Sequence, residues 1–166
     1  MIVLGIDPGL ARCGWAVIEQ KPNKENSIVG FGCIETPAKM DLPQRLSILY
    51  SSLENIIKKY KPQIASLEKQ YLFQNAKSVL ATSQARGVIL LAMSSSNLEI
   101  REYNPKQVKI SVTGYGAADK QQIQRMVKII LKLKEIPKPD DIADAMAVGL
   151  CHLNSFDSRL QTLGVK

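Results

Sequence analysis

Asp7, Glu68, Asp141 and Asp144 are acids in surroundings that set them apart from ordinary surface carboxylates. Asp7 closes the apolar run Ile2-Val3-Leu4-Gly5-Ile6 and precedes the turn pair Pro8-Gly9. Glu68 closes a second apolar run, Ile64-Ala65-Ser66-Leu67. An ionised carboxyl at the end of a buried strand is costly unless something pairs with it. Asp141 and Asp144 are three residues apart and share one face of a predicted helix. That face continues into Val148 and Cys151, so the acids are expected to point toward the body of the protein. Each acid alone has an ordinary explanation. A turn Asp is common before Pro-Gly, a Glu at a strand end is commonly exposed, and early-helix acids complement the helix dipole. The dipole accounts for Asp140 and Asp141 better than for Asp144. As a set, however, clustered carboxylates repel and need cations. All-oxygen ligands suit Mg²⁺ or Mn²⁺. Two such ions roughly 3.5–4 Å apart can activate a water and stabilise the leaving oxygen of a phosphodiester.

Basic and aromatic residues give a second, weaker signal. Lys109 and Lys120 flank the glycine-rich segment 114–118, where phosphates are readily met, although either would also serve as a solvated lysine. Tyr71 and Phe73 follow Glu68 in a polar segment and suit either base stacking or packing on the body. Arg86 has two available partners, an acid or a phosphate. His152, the sole histidine, lies on an apolar helix and reads as a core or boundary residue. The net charge of +7 fits a polyanion partner, or simple solubility.

The elements that must carry these residues follow from pattern. Strands are predicted at 2–6, 13–19, 28–36, 63–68 and 98–103. Helices are predicted at 42–60, 76–95, 104–112, 119–132 and 139–153. Leu46, Leu49, Leu53, Ile56, Ile57 and Tyr60 make one apolar stripe on the first helix. Ala143, Ala145 and Ala147 would let the last helix lie close to a sheet. Three successive strands and then alternating helices and strands indicate an α/β layer fold, a mixed five-stranded sheet with helices on both faces; RNase H-like proteins have this pattern, and the pattern alone also admits other α/β folds. The 166 residues fit one domain, 1–154, with 155–166 as a polar C-terminal tail. Cys13, Cys33 and Cys151 are odd in number and widely spaced, which implies neither a disulfide framework nor a zinc site. With no signal segment or long apolar run, the expected location is cytoplasmic.

The ordered motifs are G-I-D-P-G at 5–9, Glu68 ending a strand, N-A-x-S at 75–78, Q-A-R-G at 84–87, N-P-x-Q-V-K at 104–109, G-x-G-x-A-x-K at 114–120 and D-x-x-D at 141–144. In this order and spacing the chain resembles the RuvC family of Holliday junction resolvases. The resemblance implies an endonuclease acting on four-way DNA junctions as a homodimer, with each subunit nicking one of two like-polarity strands. It implies catalytic and metal-binding acids at Asp7, Glu68, Asp141 and Asp144, assisted by Lys109 and Lys120. Two Mg²⁺ per subunit are expected, with Mn²⁺ able to substitute. The implied DNA contacts are Tyr71, Phe73, Asn75, Arg86 and Lys106. A branch-migration motor of the RuvA–RuvB type is the implied partner complex, and small residues at 81–87 suggest part of the dimer contact.

Three other readings compete. An actin-like or sugar-kinase ATPase opens with a similar strand, Asp and Gly-rich turn, but needs two domains and has no place for the late acid pair. A non-catalytic junction binder and a nuclease for structured RNA share much of the same signature.

Overall fold

The computed structural model describes residues 1–69 and 76–162. β1 (Ile2–Asp7), β2 (Arg12–Gln20) and β3 (Asn26–Glu35) form an antiparallel meander. β4 (Ile64–Glu68) and β5 (Glu99–Tyr103) add to the other side of β1 in parallel. The sheet order is therefore β3-β2-β1-β4-β5, with β1 in the centre. The helices among the described residues are α1 (Leu42–Tyr60), α2 (Ala76–Ser95), α3 (Pro105–Thr113), α4 (Lys120–Ile130) and α5 (Asp140–Thr162).

The central strand lacks hydrophobic alternation because both of its faces are covered. Leu4 and Ile6 enter one core with Leu49, Leu53 and Ile57 of α1 and Ala85, Ile89 and Met93 of α2. Val3 enters the opposite core with Val108 of α3, Val127 of α4 and Ala145, Met146 and Val148 of α5. The expected mixed sheet with helices on both faces is the observed fold.

The α5 helix lies unusually near the sheet. An ideal Cβ on Gly5 would stand 2.1 Å from the Ala145 carbonyl oxygen and 2.8 Å from the Gly149 nitrogen. One on Gly14 would stand 1.9 Å from the Asp141 carbonyl oxygen. Any side chain at either position would displace the helix. The alanines at 143, 145 and 147 foreshadow this approach; Gly149 completes it, and the sequence reading does not single it out.

One boundary departs clearly from expectation. The pattern ends the last helix at Leu153 and assigns 155–166 to a polar tail, but α5 continues to Thr162. Polarity alone does not stop a helix. Neither Gly nor Pro occurs between Asn154 and Thr162, so no residue there carries a large helix penalty. Among the described residues no helix is long and apolar enough to cross a membrane.

Candidate active site

Three elements deliver the four acids. Ile6 packs toward α1 and α2, so alternation turns Asp7 to the opposite face, the one α5 covers. Asp7 pairs in register with Gly14, and the Asp141 backbone rests on Gly14. The first turns of α5 are thereby set beside the end of β1. Glu68 ends β4, one residue past the Ile6–Leu67 pair.

Their placement lets these groups influence one another's charge. The Asp7 carboxyl is pushed up to about 7, first by burial and then by Asp144, Asp141 and Glu68, with Lys120 opposing. Burial also raises Glu68, helped by Asp144 and opposed by Lys109. Asp144 is raised by burial, while Lys120 pulls the other way. The structure thus brings the four predicted acids into one electrostatic field. It does not draw them into ligand spacing: among the described residues, no three acid, histidine or cysteine side chains close on one metal position.

Cations border the acids. Asn104 and Gln107 form a capping box that starts α3, the helix carrying Lys106 and Lys109. Asp119 and Gln122 form another, which fixes Lys120 as the first residue of α4. From there Lys120 Nζ reaches Asp144 Oδ2 at 3.1 Å and Asp140 Oδ2 at 3.4 Å. Arg12 Nε lies 3.3 Å from Asp141 Oδ2. That contact is an ion pair without an aligned hydrogen bond, and the Asp141 oxygen, although buried, accepts none.

The sequence reading does not single out Arg12. Its position follows from the return of the chain into β2 after Pro8-Gly9, and no local motif marks it.

The remaining candidates divide. Lys106 is exposed, and its stem runs past Gly116, where an added Cβ would meet Lys106 Cε at 3.1 Å. Arg86 takes the acid alternative and bonds Glu102 and the Glu68 carbonyl, so its placement offers no support for the expected DNA contact. His152 is buried with Nδ1 2.7 Å from Tyr103 Oη, in keeping with its reading as a core residue. Tyr71, Phe73 and Asn75 lie outside the described residues.

The donor chemistry fits a hard divalent cation. Every donor is a carboxylate oxygen. One buried oxygen, Asp141 Oδ2, takes no hydrogen bond, and Asp7 holds its proton unusually firmly because it is buried and then because its neighbours are acids.

The family profile described as Crossover junction endodeoxyribonuclease RuvC matches residues 3–152. The chain belongs to the RuvC family. RuvC of Halothermothrix orenii is 51% identical over 156 residues, covering 94% of each chain. RuvC of Caldanaerobacter subterraneus subsp. tengcongensis is 49% identical over 164 residues, covering 99% of this chain and 98% of the relative. The RuvC structure from Thermus thermophilus superposes with a TM-score of 0.85 at 29% identity, covering 98% of both chains. The same protein in complex with a Holliday junction substrate gives 0.89 at 28% identity, covering 98% of this chain and 97% of the other. As a RuvC-family member the chain is a crossover junction endodeoxyribonuclease with the RNase H-like resolvase fold. The ATPase alternative is thereby set aside. RuvC nucleases depend on a metal.

Proposed function

We propose that the chain resolves four-way DNA junctions by paired, symmetric nicks as a homodimer, with Asp7, Glu68, Asp141 and Asp144 holding two Mg²⁺ per subunit. The observation that carries this reading is the meeting of acids from β1, β4 and α5 in one field, with a buried Asp141 oxygen that accepts no hydrogen bond. When bound, divalent ions would supply charge neutralisation and an activated water for phosphodiester hydrolysis.

The protein groups have separable tasks. Asp7 and Glu68 end strands packed into the core, so their backbones move little as charge is redistributed. Lys120 holds Asp144, and Arg12 stands against Asp141. Lys109 lends positive charge near Glu68 and is placed to meet a phosphate. Lys106, Tyr71, Phe73 and Asn75 extend the DNA contact, with either aromatic available for base stacking. The nuclease unit extends through α5, past the boundary expected at 154. A RuvA–RuvB type motor would present the junction.

A labelled synthetic four-way junction, compared with linear duplex of the same sequence, tests the reading. Mg²⁺-dependent, symmetric nicks confined to the junction are expected. Equal cutting of the duplex, or cutting that survives chelation, would refute it.

A further inference from the structure

We propose that Arg86 is a positioning residue for Glu68, supplying a hydrogen bond that Pro8 makes unavailable from the sheet; this rests on the reading of Glu68 as a metal-binding acid. Lys69 gives its N–H to the Tyr103 carbonyl at 2.7 Å, on the β5 side. The Glu68 carbonyl belongs to the same trans peptide unit and therefore turns the opposite way, toward β1. The β1–β4 ladder ends at the Ile6–Leu67 pair. One more rung would set Glu68 opposite Asp7 and offer its carbonyl to the amide of residue 8. That residue is Pro8, which has no N–H. The strand therefore loses a donor beside the acid it must hold still.

Arg86 fills that place. Its Nη1 donates to the Glu68 carbonyl at 3.0 Å, and its Nη2 donates to the Glu102 carboxylate. Glu102 pairs with Leu67, one residue before Glu68, on the neighbouring strand. The guanidinium thus joins α2, the end of β4 and β5 through two charge-assisted bonds, each stronger than a neutral one. Only 15% of its side chain is exposed, and its charge is met by Glu102. Both facts leave it poorly suited to DNA phosphate. The D-P-G and Q-A-R-G motifs, far apart in sequence, are on this view two halves of one support.

The full chain tests this with two readouts. One is Mn²⁺ binding to DNA-free protein by calorimetry. The other is single-turnover junction cleavage across Mg²⁺ concentrations, with junction affinity measured separately. Arg86→Ala is expected to weaken Mn²⁺ binding about tenfold, raise the Mg²⁺ needed for half-maximal cleavage similarly, and leave junction affinity within about threefold. Arg86→Lys, which retains one donor, is expected to recover part of the loss. Pro8→Ala restores an N–H at the missing rung and is expected to recover metal affinity in the Arg86→Ala background. Unchanged metal affinity in Arg86→Ala would overturn the proposal. So would a loss confined to junction affinity with a shallower salt dependence, the signature of a phosphate contact. Should Arg86→Ala fail to fold, the metal affinity of Arg86→Lys decides: a wild-type value overturns the proposal, and a weakened one supports it. Wild-type protein that binds Mn²⁺ but cuts no junction would sink the resolvase reading and leave the Arg86 test intact.

Discussion

Lys120 Nζ lies 3.1 Å from Asp144 Oδ2, joining the first residue of α4 to an acid of α5. The lysine ammonium offsets part of the burial that drives the Asp144 carboxyl upward. Lys120→Met removes this offset, so the Asp144 carboxyl should titrate at higher pH than in the wild type. Carboxyl carbon NMR of metal-free protein reads this directly, and an unmoved titration would show that the pair does not form in solution.

Stability of the metal-free protein should fall as pH rises toward neutrality. Asp7 protonates near 7 in the folded chain, against 3.8 as its ordinary value. Between those limits the folded state binds more protons than the unfolded state. The contribution of Asp7 is therefore complete below about 3.8 and lost as pH climbs through about 7. It is worth on the order of 4 kcal/mol. Urea denaturation in chelator at pH 5 and pH 8 should show the slope, and Asp7→Asn should flatten it. An equally steep slope in the variant would place the responsible group elsewhere.

Cleavage and binding should separate. Asp7→Asn or Glu68→Gln should reduce junction nicking by about 10³-fold or more while junction binding persists, since the lost step is metal chemistry. Near-normal nicking in either variant would refute the site assignment. Lys109→Ala should slow cleavage by about 10²-fold with only a modest loss of affinity. If gel-shift binding vanished instead, this lysine would be holding the DNA in place.

Gly5→Ala should be among the most damaging single changes. The new methyl would lie 2.1 Å from a backbone oxygen of α5, an element that cannot step aside as a flexible side chain can. A loss of about 3 kcal/mol or more is expected in chemical denaturation. A variant as stable as the wild type would mean that the helix sits farther from the strand.

Much of the site was legible because burial leaves a mark in sequence. An acid that ends an apolar run, as at Asp7 and Glu68, stands out against its neighbours. The three-residue spacing of Asp141 and Asp144 fixes a shared helical face. Arg12 left no such mark, because its place beside Asp141 comes from strand register across a turn. The partners of Arg86 were equally hidden, since they depend on an amide missing at Pro8 and on a glutamate in another strand. The end of α5 was misjudged for a different reason: helix termini are set by breakers and caps, whereas polarity was the cue.

The contact of Gly14 with the Asp141 carbonyl has a wider consequence. The spacing between strand and helix is gauged there by main chain against main chain. The acids at the start of α5 are thus set against the sheet by close main-chain packing, independently of any side chain at that point. A side chain at Gly14 would push the start of α5 off the sheet and carry Asp141 and Asp144 out of line with Asp7.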